Sequence, residues 1–279
     1  MKKITAILIL VIAGLILATC EQGDKKVRLR IKYKPEMKLT YEQLAKGNVL
    51  VRAGDSVVRD RVNEITTSLE LYVRRIVDDS TAEVVQNMSY RYKSFDRIDS
   101  TQTDTVEQGH EMILYIAPNG RVVDLEFTSE EAQSSTAYLK NFYDQGMPVF
   151  PSGEISQGYN WTQTYKVILE DEEMEASTTY EIKSFAREHG YDCAVIAYDG
   201  NLILPIEGCP KDSTLRHGID RVSATGLMYF AYKEGFVIFQ RERWLLDGDR
   251  HKVVDGKPTV YNVTVEYDVV FSLKELHRP

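Results

Sequence analysis

The chain has 279 residues, 43% of them hydrophobic and 27% charged, with a formal net charge of −8. That size and apolar content suffice for one large β domain or two small ones. The negative balance disfavours nucleic acid and anionic lipid surfaces as primary partners.

In the opening stretch "MKKITAILILVIAGLILATCEQGD", Lys2 and Lys3 precede an apolar run from Ile4 to Ala18. The run is shorter than the roughly 20 residues a membrane-spanning helix needs and has the length of a signal-peptide apolar region. Leu17, Ala18 and Thr19 lead into Cys20, after which Glu21, Gln22, Gly23 and Asp24 restore polarity. This junction resembles the lipobox of bacterial lipoproteins. The resemblance implies a signal peptide over 1–19, cleavage after Thr19, lipid on the Cys20 sulfur and an acylated new amino terminus, with 20–26 as tether. Two or three acyl chains supply the dual signal that stable anchoring requires. Glu21 rather than Asp after the cysteine implies, by likeness to enterobacterial lipoproteins, the outer membrane. No later segment reaches 18 consecutive apolar residues, so the chain beyond Cys20 is expected to be tethered and soluble.

From there strict alternation dominates. In "VRLRIKYK", Val27, Leu29, Ile31 and Tyr33 face one way and Arg28, Arg30, Lys32 and Lys34 the other, which predicts a half-buried strand. "EMILYIAPNGRVVDLEF" places Asn119 and Gly120 between two apolar runs, a hairpin signal. Thr128 and Glu131 have capping-box spacing, Ala132, Ser135, Leu139, Phe142 and Tyr143 share a face, and Gly146 and Pro148 end the periodicity. A linker helix is therefore expected over Thr128–Gln145, packed across a sheet or an opening. "PVFPSGEISQGYNW" delivers the chain into a second half, where "GLMYFAYKEGFVIFQRERW" predicts another hairpin around Lys233, Glu234 and Gly235. "YNVTVEYDVVF" alternates again near the end, as antiparallel strands with one solvated face do.

Set in register, the two hairpins carry their flanks with them. "TSLELYV" (Thr67–Val73) aligns with "TTYEIKS" (Thr178–Ser184), "AEVVQ" with "CAVIA", and "KPEMKLTY" more loosely with "SQGYNWTQTY". Leu69 to Ala82 and Tyr180 to Cys193 are both separations of 13. The expectation is a tandem repeat: 27–127, a helix and linker over 128–154, and 155–279. The fold class is mainly β, a duplicated antiparallel meander forming a curved sheet, open barrel or sandwich, with one linker helix.

Cys193 and Cys209 are expected to pair, because an exported protein meets an oxidising compartment. Such a bridge would contribute about 3 kcal/mol. The metal alternative has only His217 nearby, an incomplete set for zinc.

The search for chemistry is otherwise empty. Gly54-Asp55-Ser56 resembles the nucleophile block of GDS-type esterases, but no histidine has an aspartate three positions before it, and the alternating βα units are missing. His110, His189, His217, His251 and His277 are scattered. "LDGDRHKVVDGK" reads as a loop gathering Asp247, Asp249, His251 and Asp255 without calcium-loop spacing. "EDEEMEAS" reads as a solvated hairpin tip. No phosphate-binding glycine loop or nucleotide fingerprint occurs. No catalytic residue, metal ligand or cofactor is assigned, and ligand-binding residues stay unknown. The 17 tyrosines fall mostly on strands, where core packing is the default explanation.

With the lipobox, the tandem meander, the entry into "GYNW" and the "YFAYKEGFVIFQ" hairpin, the chain resembles a group of bacterial envelope lipoproteins of unknown function. More distantly it resembles the lipoprotein-carrier fold, a half-barrel that cradles acyl chains. Two functions stay open: a non-enzymatic envelope lipoprotein binding an apolar or lipid ligand in a β cavity, or a scaffold that meets other envelope proteins through sheet edges or an aromatic face.

Overall fold

The computed structural model describes residues 25–279 apart from 79, 110, 128–135, 170–171 and 208–214. In chain order the elements are β1 (Lys38–Ala53), β2 (Ser56–Val77), β3 (Thr81–Asp96), β4 (Gln102–Gln108), β5 (Met112–Ile116), β6 (Val122–Phe127), α1 (Thr136–Gly146), β7 (Asn160–Leu169), β8 (Glu172–Glu188), β9 (Tyr191–Glu207), β10 (Leu215–Ala231), β11 (Phe236–Val254) and β12 (Lys257–His277). All strands belong to one antiparallel sheet of order β6-β5-β3-β2-β1-β12-β11-β10-β9-β8-β7, with β4 also on β3. Strands β4 and β5 share β3 end to end, β5 against Ala82–Gln86 and β4 against Ser89–Phe95. The two segments 27–127 and 155–279 are therefore not separate lobes. They meet where β1 pairs with β12 over its whole length.

Antiparallel neighbours joined by short turns need only the period-two pattern to pair, and Gly120 and Gly235, at φ 90° and 87°, supply the left-handed residues at the two expected hairpin tips. The strands are long. β2 has 22 residues and β12 has 21, or about 70 Å at ~3.3 Å per residue.

One end of this sheet curls shut. Val84, Leu114 and Val122 share a core with Cys193, Ala231 and Phe236. In a flat sheet β5 and β9 would stand roughly 33 Å apart, at ~4.8 Å per strand. The sheet does not close into a barrel, and the chain after α1 spans the gap instead. Phe150 N–H donates to the Asn119 carbonyl in the β5–β6 turn at 2.7 Å, and Val149 N–H donates to Gln163 Oε1 on β7 at 2.8 Å. Trp161 Nε1–H donates to the Val149 carbonyl at 3.1 Å. Gln163 completes the staple through Nε2, which donates to the carbonyls of Met147 at 3.0 Å and Asp144 at 3.4 Å. α1 itself sends Phe142 to Trp244 and Tyr143 to Gln86, while Lys140 and Asp144 pair four residues apart on its other side. The helix N-terminus expected at Thr128 lies outside the described residues.

Two readings need correction. "VRLRIKYK" alternates in burial as expected, with Val27 and Leu29 buried, but it is not a ladder strand. Only Val27 forms a bridge, with Ile155. The rest runs across hairpin tips: Ile31 N–H donates to the Pro118 carbonyl at 2.7 Å and Lys32 N–H to Gly235 at 3.4 Å. An extended strap laid over a core has the same alternation as a strand, because the period belongs to the backbone and not to the ladder. Likewise "LDGDRHKVV" is no loop. Asp247, Asp249 and His251 sit within β11, and only Asp255 and Gly256 turn the chain.

Candidate functional site

On the concave face of the sheet, register decides which side chains from distant strands meet. Across its middle run Tyr198, Gly226 and Glu242 as direct neighbours on β9, β10 and β11. Tyr198 lies over Gly226, where any Cβ would come within 2.5 Å of its hydroxyl. The phenol thereby reaches Glu242 Oε2, to which it donates at 2.5 Å. Gln240 Nε2 donates to Tyr198 Oη at 2.8 Å and to Glu242 Oε2 at 3.0 Å. Burial, then the Glu242 carboxylate, push the Tyr198 phenol well above the usual tyrosine range. Trp161 stacks on Tyr180 at 4.9 Å, and Tyr180 stands 6.1 Å from Tyr198. These hydrogen bonds fasten β9 to β11.

Toward the far end of the trough the same face changes character. Asn63 Nδ2 donates to Tyr267 Oη and Asn63 Oδ1 accepts from Tyr92 Oη, both at 2.9 Å, forming a step. Beyond it lies a floor of Val49 and Val51 on β1, Val263 and Val265 on β12 and Leu246 on β11. All five are half-buried. On the convex side Asn48, Arg52, Asn262 and Thr264 are exposed, Leu50 between the two β1 valines is half-buried, and Leu245 beside Leu246 is exposed. Two ion pairs flank the floor: Arg61 with Asp96 at 2.9 Å and Arg250 with Asp220 at 2.6 Å, both carboxylates nearly buried. The Arg61 guanidinium, helped by the Ile98 N–H, holds the Asp96 carboxyl below its ordinary range.

Cys20 lies outside the described residues, as does Cys209. Cys193 is a buried free thiol that donates to the Tyr191 carbonyl at 3.6 Å. The expected Cys193–Cys209 bridge lies outside the described residues at its Cys209 end; Cys193 is near the start of β9 and Glu207 at its end.

Among the described residues, no group of three His, Cys, Asp or Glu side chains is placed to hold a metal. The register does bring two scattered histidines together, His217 and His251, as a cross-strand stack at 4.2 Å. Gly54 and Asp55 form the β1–β2 turn and Ser56 opens β2. The Glu242 cluster and the flanking ion pairs were missed by motif search. A signal existed: in "FVIFQRERW" Gln240, Glu242 and Trp244 continue the buried phase of Phe236 and Ile238 on a strand.

No protein-family model matches the chain, and no curated protein matches its sequence. Among solved structures, lipovitellin is similar over 88% of this chain at a TM-score of 0.46 and 12% identity, and this chain spans 26% of it. An outer-membrane channel from Pseudomonas putida is similar over 88% of this chain and 97% of its own, at a TM-score of 0.30 and 8% identity. A Bacteroides fragilis protein with a YmcC-like fold, thought to be exported, is similar over 90% of this chain and 100% of its own, at a TM-score of 0.30 and 11% identity. Among the described residues, no helix is long and apolar enough to cross a membrane.

Proposed function

We propose that this protein is a non-enzymatic envelope lipoprotein, anchored through lipid on Cys20, that holds an apolar or amphipathic lipid-like ligand on its concave face. The observation that carries the reading is the floor of Val49, Val51, Leu246, Val263 and Val265. It is an aliphatic surface of paired residues on three neighbouring strands, facing the inside of a curved sheet and half-exposed. An aliphatic strip left open to water in this way marks a binding surface. The ion pairs of Arg61 and Arg250 give the strip polar margins that would orient an amphipathic occupant. The Tyr198–Gln240–Glu242 and Asn63–Tyr92–Tyr267 groups of the concave face are each joined by hydrogen bonds.

Titration of the full chain carrying Cys20→Ser with a fluorescent fatty acid tests the ligand. Saturable binding tighter than millimolar is expected, weakened at least tenfold by Val265→Asp. Absence of saturation removes the carrier reading. For the anchor, an alkyne fatty acid fed to cells should label the wild type and not Cys20→Ala; equal labelling would remove it.

A second reading is supported by the convex side. Val62 and Phe95 face each other across β2 and β3 at 38% and 39% exposure, with Ile98 at 54% in the next turn. Such a patch suits contact with another envelope protein. Cross-linking in cells from Phe95 with no fatty-acid binding in vitro would favour it.

A further inference from the structure

The net charge of the chain hides a local reversal. Lys25, Lys26, Arg28, Arg30, Lys32 and Lys34 put six cations into the ten residues of the strap, while the remaining sequence holds 28 basic residues against 42 acidic. Because Val27 and Leu29 are buried against the closed end, the even positions from 26 to 34 are all turned outward and exposed. They form a row about 26 Å long at ~3.3 Å per residue. Lys25 lies over the rings of Phe185 and Tyr232, and Lys32 donates to the carbonyls of Tyr232 and Lys233, which pins the strap in place. Nearby Asp192 is occupied by Lys233 at 2.5 Å. Lys26, Arg28, Arg30 and Lys34 make no ion pair among the described residues. A shallow cleft of about 450 Å³ opens beside the row, with Arg30, Lys32 and Ser80 in its wall.

The position of the row matters as much as its charge. Only residues 21–24 separate Cys20 from Lys25, so an anchor on Cys20 would hold the strap within about 17 Å of the bilayer at ~3.5 Å per residue. We propose that the outward face of residues 26–34 docks on an anionic phospholipid surface, so that the closed end of the sheet faces the membrane and the open trough points away from it. This deepens the anchored-lipoprotein reading and rests on it for the distance. Short-range attraction of a basic segment to anionic headgroups does not depend on net charge, because it is screened beyond about 8 Å.

The test is flotation of the full Cys20→Ser chain with vesicles of pure phosphatidylcholine or of phosphatidylcholine with phosphatidylglycerol. The apolar leader contributes to both, so the ratio of binding isolates the charge. A preference for anionic vesicles of at least tenfold, abolished by 0.5 M salt, is expected. Each cation near the surface is worth about fivefold, so Lys26→Gln/Arg28→Gln/Arg30→Gln should lower the anionic binding by about a hundredfold. These side chains are exposed, so the thermal midpoint should not move. A wild-type ratio of one overturns the proposal, as does a triple variant that keeps the preference. Salt-sensitive retention on heparin without vesicle preference would give the row to another polyanion and also overturn it. Failure of fatty-acid binding with the vesicle preference intact would remove the carrier reading alone.

Discussion

Glu36 and Gly158 occupy matching positions in two turns built alike. Each has positive φ, 64° and 81°. Each donates its N–H to a carbonyl on the second strand after it at 2.8 Å, Val73 on β2 for Glu36 and Ile182 on β8 for Gly158. The N–H groups of Val73 and Ile182 return bonds, both at 2.9 Å, to Met37 and Tyr159. In both pairs of strands the register then shifts by a residue, between Val73 and Arg75 and between Ile182 and Ser184.

The left-handed conformation costs an L-residue about 1 kcal/mol that glycine does not bear. Glu36→Gly should therefore stabilise the protein by roughly 0.5–1 kcal/mol, and Gly158→Ala, with open space around its Cβ, should cost about 1 kcal/mol. Thermal denaturation should show shifts of a few degrees in opposite directions. Shifts of the same sign would show that the two turns do not share a conformational requirement.

Gln163 joins β7 to the chain that bridges the two sheet edges. Replacing it with alanine leaves the Val149 N–H and the Met147 carbonyl without their partner at a site 9% exposed. A loss of about 2–3 kcal/mol follows, read as a fall of roughly 5–10 °C in Tm. Gln163→Glu keeps the acceptor but sets a carboxylate against carbonyls, and should be no better. A loss below about 0.5 kcal/mol for the alanine variant would show that the staple is not structural.

Alkali should unfold this protein through its tyrosines. Burial pushes Tyr33 and Tyr165 up to about 12 and raises Tyr41, Tyr180 and Tyr198 as well. The unfolded chain ionises near pH 10, so above that pH it binds fewer protons than the folded chain. Stability is complete below about pH 10 and falls as pH rises toward 12, by about 1.4 kcal/mol per unit for each buried tyrosine. Phenolate absorbance should appear in two phases, the second coinciding with loss of β-sheet circular dichroism. A single smooth titration with the sheet intact would contradict the burial.

The Cys193 thiol, pushed up to about 11 by burial, should resist modification at pH 8. In a Cys20→Ser/Cys209→Ser chain, labelling should be slow in buffer and fast in urea. The chain with Cys193 and Cys209 should show no mass change on reduction. Rapid native labelling, or a mass gain on reduction traced to an intrachain bridge, would overturn the thiol assignment.

The sequence alone determined what depends on local period and turn chemistry. Alternation along "YNVTVEYDVVF" and left-handed glycines at positions 120 and 235 suffice for strands and hairpins, because neighbours in an antiparallel meander are also neighbours in the chain. What only the tertiary structure decided is which distant strands touch. The β1–β12 pairing that makes one sheet, the Gln163 staple that substitutes for barrel closure, and the meeting of Tyr198 with Glu242 across Gly226 all depend on register between segments far apart in sequence. The strap of residues 26–34 shows the limit most directly. Its alternation fixed which side chains face inward, but a ladder and a chain laid across hairpin tips bury the same residues, and only the partners of its backbone N–H groups distinguish them.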